Sequence, residues 1–139
     1  MDNHPRRIAT AEKALVTLTE LIGRNPVDTV ERDAAIQRFE YTFEAVWKAG
    51  RSYLLEVEGI DAASPKKVLR ELRAVGLLDD EKTTFGLEMV DDRNLTTHTY
   101  HEGLAEGIYE KLVGYAELMD FCLKEMKRHS PCDPTNSKP

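Results

Sequence analysis

Residues 91–100 read Asp91-Asp92-Arg93-Asn94-Leu95-Thr96-Thr97-His98-Thr99-Tyr100, a dense run of polar groups around a single aliphatic side chain. A linker more often carries Gly, Pro and Ser, and a packed helix shows more apolar positions. Arginine offers a planar fork matched to phosphate oxygens. Histidine transfers protons near neutral pH. With no metal-ligand set around them, Arg93 and His98 suit a phosphodiester. The arginine would hold the phosphate, and the histidine would take the proton of an attacking ribose 2′-OH or protonate the leaving oxygen. Efficient cleavage uses both an acid and a base, so one such histidine per chain points to two chains meeting at the site. The structural alternative is a helix end at which Arg93 pairs with Asp91 or another nearby acid and His98 caps carbonyls.

Helical geometry divides these residues. On a continuous helix, seven residues turn about 700°, so Arg93 and Tyr100 point the same way about 10 Å apart. Asn94 and His98, four apart, share a neighbouring face. Arg93 and His98 are separated by about 140° around the axis, so they meet only if the helix bends, the arginine reaches round, or a second copy supplies the missing partner. The β-branched run Thr96-Thr97 with Thr99 predicts that the helix ends around residues 98–101. A histidine in a last turn faces the negative end of the helix dipole, which favours its protonated form.

The flanking elements read as helices throughout. Ile8, Ala11, Leu15, Leu18 and Ile22 form one apolar stripe over residues 5–22, with Gly23 at a plausible end and Pro26 beyond. A second helix opens at Asp28, with Glu31 placed for a capping box, and carries Ile36, Phe39, Phe43, Val46, Trp47, Gly50, Tyr53, Leu54 and Val57 before Gly59 closes it. Most of the aromatic mass lies here, as expected of the core helix. Ser64-Pro65 starts a third helix as cap and first residue. Its apolar side is Val68, Leu69, Leu72 and Val75, and Lys66, Lys67, Arg70 and Arg73 make the other face basic. Residues 77–83 read as a connection into a fourth helix with Phe85, Met89 and Leu95. A fifth, over residues 102–127, has a near-heptad seam of Leu104, Ile108, Leu112, Tyr115, Met119, Cys122 and Met126. Gly103, Gly107 and Gly114 share a face of it; each costs about 1 kcal/mol against alanine, a cost that a close helix approach would offset. Residues 129–139 read as a disordered tail. The expected fold is all-α, a bundle of about five helices occupying residues 1–128.

Bulk properties narrow the function. The chain has 139 residues, 41% hydrophobic and 32% charged, enough for a core without disulfides. No apolar run approaches the roughly 18–20 residues needed to span a bilayer, and the N-terminus leads into an amphipathic segment instead of a signal-peptide core, so a cytoplasmic location is expected and no membrane association. Cys122 and Cys132 form no CxxC, and no glycine-rich phosphate loop occurs, so neither a disulfide, a metal nor a cofactor is expected. The net charge of −6 excludes a protein that lives by general nucleic-acid affinity; any RNA work needs a local site or a partner.

Arg93-x4-His98-x-Tyr100 resembles the Arg-x4-His-x-Tyr signature of HepT proteins in the HEPN superfamily. The surrounding blocks agree: residues 36–44 with Trp47-Lys48, then Ser64-Pro65, Gly76-Leu77-Leu78-Asp79-Asp80 and Asp92-Arg93-Asn94-Leu95-Thr96. Together they resemble the branch of nucleotidyltransferase substrate-binding proteins over residues 8–127. The resemblance implies an up-and-down helical bundle that forms a homodimer or higher oligomer, with Arg93 and His98 of two protomers converging. It implies a minimal nucleotidyltransferase as partner and a toxin acting as a metal-independent endoribonuclease, with RNA as substrate. In that scheme Arg93, His98 and Asn94 are catalytic, and AMP addition to Tyr100 neutralises the toxin. The alternative is a non-catalytic substrate-binding subunit of a two-component nucleotidyltransferase. Gly103 and Gly107 stand where the family more often has acids and alanines.

Overall fold

The computed structural model describes residues 3–131. The helices begin where side chains satisfy the first free N–H groups of a helix. Asp28 accepts from the Glu31 N–H at 2.7 Å, Ser64 from Lys67 at 3.3 Å and Asp79 from Lys82 at 2.8 Å. These caps open α2 (Thr29–Tyr53), α3 (Pro65–Ala74) and α4 (Asp80–Leu95); α1 (His4–Thr19) precedes them and α5 (Glu102–His129) follows. No strand occurs among the described residues. The fold is an all-α bundle of five helices.

Several boundaries differ from the periodicity. Helix α4 already starts at Asp80, inside the stretch expected as a connection, because Asp79 caps it. Only half of the expected capping box forms: the Glu31 carboxylate turns to Arg24. Helix α1 ends at Thr19, before the apolar stripe does, and Gly23 takes a positive φ in the following loop. Helix α2 runs on through a wide π turn, Leu54–Glu58. Gly59, at φ 71°, stops it, with the Ile60 N–H reaching back to the Leu54 carbonyl at 3.0 Å. The expected tail falls largely on residues 132–139, which lie outside the described residues, as does Cys132.

The first turn, for which the sequence suggested no role, is an anchor. Glu56, in the π turn, accepts from the Asn3 and His4 N–H groups at 2.8 and 2.9 Å, and His4 Nδ1 lies 2.7 Å from it. His4 Nε2 is 3.1 Å from Ser130 Oγ, so one buried imidazole ties the start of α1 to the end of α5. Burial works to raise the Glu56 carboxyl, but the hydrogen bonds from His4 and Asn3 outweigh it and hold the group below its ordinary range.

The core follows the apolar stripes. Ile8, Ala11, Leu15 and Leu18 of α1, Phe39, Phe43 and Tyr53 of α2, and Leu112, Tyr115, Met119, Cys122 and Met126 of α5 are buried together. Phe39 stacks on Tyr115 with ring centroids 5.7 Å apart, and Phe85 of α4 closes on the same ring at 4.9 Å. Trp47, expected in the core, is half-buried at its edge with its indole N–H on Glu44 at 2.7 Å. Leu95, expected on the apolar side of α4, is 41% exposed.

The glycines divide differently from expectation. Gly114 faces the Phe85 ring, but around Gly103 and Gly107 a Cβ would meet nothing within 4 Å, so no close approach within the chain repays them. The tight approach is at Gly50, where a Cβ would lie 2.7 Å from Val68 Cγ1 of α3. Gly107→Ala is therefore expected to raise stability by about 1 kcal/mol, and Gly50→Ala to lower it by about 1–3 kcal/mol through overpacking. Thermal unfolding of the two variants checks the contrast.

Candidate functional site

The polar stretch straddles the junction of α4 and α5. Helix α4 stops at Leu95, a short 3₁₀ turn covers Thr96–His98, and α5 restarts at Glu102. Thr96 is the reason for the early stop. Its buried hydroxyl sits against the Arg93 carbonyl at 2.8 Å and against the Glu40 carboxylate of α2, so the side chain competes for the helical backbone. Thr99 repeats the move on the Thr96 carbonyl at 3.2 Å, and the His101 N–H closes on the His98 carbonyl at 3.1 Å. The angular separation of a straight helix thus applies from Arg93 only as far as Leu95.

Both acids of the motif are already engaged. Asp91 pairs with Lys66 of α3 at 2.8 Å. Asp92 is buried and accepts from the Tyr115 hydroxyl at 2.5 Å and from Lys111 at 3.3 Å. The arrangement in which an adjacent acid neutralises Arg93 is not the one that forms. Arg93 is half-buried, and its buried Nε has no hydrogen-bond partner. A buried guanidinium nitrogen without a partner is costly unless an incoming acceptor satisfies it, and a phosphate oxygen is such an acceptor.

Outside that floor lie His98, Tyr100 and His101, with His98 and His101 exposed to solvent. His98 Nδ1 is 3.3 Å from the Tyr100 hydroxyl, and the two rings meet edge to face with centroids 6.0 Å apart. The His98 ring therefore contacts a phenol instead of capping carbonyls. Tyr100 is 73% exposed, open to modification from solvent, and its other neighbour is His101 at 4.5 Å. Asn94 is exposed on the last turn of α4. The structure brings His98 and Tyr100 into contact and places Arg93 in the last turn of α4, ahead of the 3₁₀ turn that carries His98.

Sequence reasoning missed the supports of this site: Glu40, Lys66, Lys111 and Tyr115. Tyr115 carried a legible signal, since a tyrosine inside an apolar seam needs a partner for its hydroxyl. Burial, and then the bond to Asp92, raises its phenol well above the ordinary value of 10.0. The folded protein therefore holds this proton where the unfolded chain releases it, and that stability is present below about pH 10 and lost as pH rises beyond. Alkaline unfolding monitored by circular dichroism is expected to show this loss, and Tyr115→Phe to flatten it.

Residues 6–128 match the family model described as nucleotidyltransferase substrate binding protein like. The chain belongs to that family. It is similar to a Haemophilus influenzae protein named probable ribonuclease HepT, 28% identical over 103 residues, which span 71% of this chain and 69% of that one. Among solved structures, a Thermus thermophilus protein is 58% identical, with a TM-score of 0.83 over 85% of this chain and 99% of its own. A Haemophilus influenzae structure, described as revealing the fold of a substrate binding domain of a nucleotidyltransferase, shares the family fold at a TM-score of 0.72. It is 23% identical and covers 86% of this chain and 98% of its own. As in the sequence reading, no helix among the described residues is long and apolar enough to cross a membrane.

Proposed function

We propose that the chain is the helical partner of a minimal nucleotidyltransferase and acts as a toxin, a metal-independent endoribonuclease neutralised by AMP addition to Tyr100. The observation that carries this reading is the exposed Tyr100 hydroxyl held 3.3 Å from His98 Nδ1, one short turn beyond an Arg93 whose buried Nε lacks a partner. Arg93 binds the scissile phosphate in its fork. His98 takes the proton of the ribose 2′-OH as that oxygen attacks phosphorus, or protonates the 5′-oxygen as it leaves. Asn94 orients the strand. A homodimer supplies the second Arg93/His98 set, so that one histidine acts as base and the other as acid in the cytoplasm where RNA is met. AMP moved from ATP to the Tyr100 oxygen, with pyrophosphate leaving, adds charge and bulk where the RNA phosphate must sit.

A second reading has a specific support: the family model is described by substrate binding, not cleavage. In it the same surface presents a substrate to the transferase without chemistry of its own. Expression without the transferase separates the two. Growth arrest by the wild type, absent in His98→Ala, supports the toxin; harmless wild-type expression with no RNA cleavage in vitro supports the binding subunit. Intact mass after incubation with ATP, magnesium and the transferase is expected to rise by whole AMP units, and a rise that persists in Tyr100→Phe would sink the modification site.

A further inference from the structure

Helices α3 and α4 run antiparallel and are stapled by ion pairs at both ends, Lys66 to Asp91 at 2.8 Å and Arg73 to Asp80. Between the staples lies an open cleft of about 430 Å³, lined by Arg70, Arg73, Asp80, Thr83, Thr84 and Leu87. Lys67 is engaged by Glu71 at 3.0 Å. Arg70 is exposed like Lys67 and Arg73, but unlike the other three cations of the basic face it makes no ion pair among the described residues.

The cleft lies along the same helix as the candidate site. Asp80, Thr84, Leu87, Asp91 and Asn94 recur at spacings of four and three, so they form one face of α4. Asp80, Thr84 and Leu87 line the cleft, and the same face continues past the Lys66–Asp91 pair to Asn94, about 15 Å from Thr84 at 1.5 Å per residue. Lys66, Arg70 and Arg73 descend α3 at the matching spacing. A cationic groove that tracks a backbone is how sequence-tolerant single-strand binders work. In a chain of net charge −6, such a track has to be local.

We propose that the α3/α4 groove carries the single-stranded RNA away from the Arg93/His98 site, with Arg70 gripping a backbone phosphate some nucleotides from the scissile bond. This rests on the ribonuclease reading for the identity of the strand. Because Lys66 and Arg73 are already neutralised by acids, Arg70 is the leading contact and the residue to test.

The test measures binding of a labelled single-stranded RNA, long enough to fill the groove, to protein carrying His98→Ala so that nothing is cut. Adding Arg70→Glu is expected to weaken binding roughly tenfold or more, as for loss of a charge-assisted hydrogen bond. Arg70→Gln is expected to reduce the slope of log affinity against log salt by about 0.7, the share of one single-strand phosphate contact. Lys13→Glu, exposed on α1 and equal in charge change, is the control and is expected to leave affinity nearly unchanged. Equal affinity of the Arg70 and Lys13 variants overturns the proposal. Cleavage assays on protein that keeps His98 separate it from the reading beneath it. A wild type that binds through Arg70 but never cuts leaves the track standing and removes the ribonuclease. A wild type that cuts with the same KM as its Arg70→Glu variant does the reverse.

Discussion

His98→Ala is expected to lower the turnover of single-stranded RNA by about 10²–10⁴-fold, the usual worth of a positioned acid or base, while leaving the fold intact. The imidazole is exposed, and its one side-chain hydrogen bond is to the Tyr100 hydroxyl at 3.3 Å. Losing so exposed a side chain changes stability by less than about 0.5 kcal/mol, so a fall in rate cannot be charged to unfolding. Arg93→Lys sharpens the assignment. A lysine keeps the charge but loses the planar fork, so turnover falls even though the electrostatics of the helix end are retained. Single-turnover cleavage measured beside a thermal unfolding curve for each variant provides the check. Undiminished cleavage by the purified His98→Ala protein would remove His98 from the chemistry.

Phe39→Ala carries the largest expected effect on stability, about 3–5 kcal/mol. Phe39 is fully buried, stacked on Tyr115 at 5.7 Å and packed against Phe43 at 6.1 Å. Truncation leaves a cavity between α2 and α5 that two long, well-packed helices cannot collapse to fill. For a domain of this size the midpoint of thermal unfolding is expected to fall on the order of 10–20 °C. The substitution also reaches the site. Tyr115 holds Asp92 through its hydroxyl, and Asp92 adjoins Arg93. A Tyr115 ring freed from Phe39 holds the end of α4 less firmly, so KM for RNA is expected to rise along with the loss of stability. A fall of only a degree or two would show that the α2/α5 stack is not the centre of the core.

The fold was legible because its signals are local and repeated. The seam of α5 from Ile108 to Met126 and the aromatic run of α2 follow the helical period, and a buried stripe is what that period means physically. Caps at Asp28 and Ser64 were legible for the same reason, a side-chain oxygen placed three residues before a free N–H. Where the reading failed, competition with partners outside the helix in question decided. Glu31 had two uses, and Arg24 took it. The glycines of α5 gave no hint of which one meets a neighbour, because that depends on where the Phe85 ring lies.

The sequence by itself determined an all-helical chain, the membership implied by the Arg93, His98 and Tyr100 spacing, and the existence of a break between α4 and α5, expected at residues 98–101 and found already after Leu95. Each of these follows from residue order along one segment. Only the tertiary structure decided the state of the site. It assigned Asp91 to Lys66 and Asp92 to Tyr115, which leaves the buried Nε of Arg93 without a partner, and it set His98 against Tyr100. Those outcomes rest on which charges and hydroxyls from α3, α4 and α5 arrive within hydrogen-bonding distance. Ion pairing is a contest among all nearby partners, and no spacing along a single helix can say which of them wins.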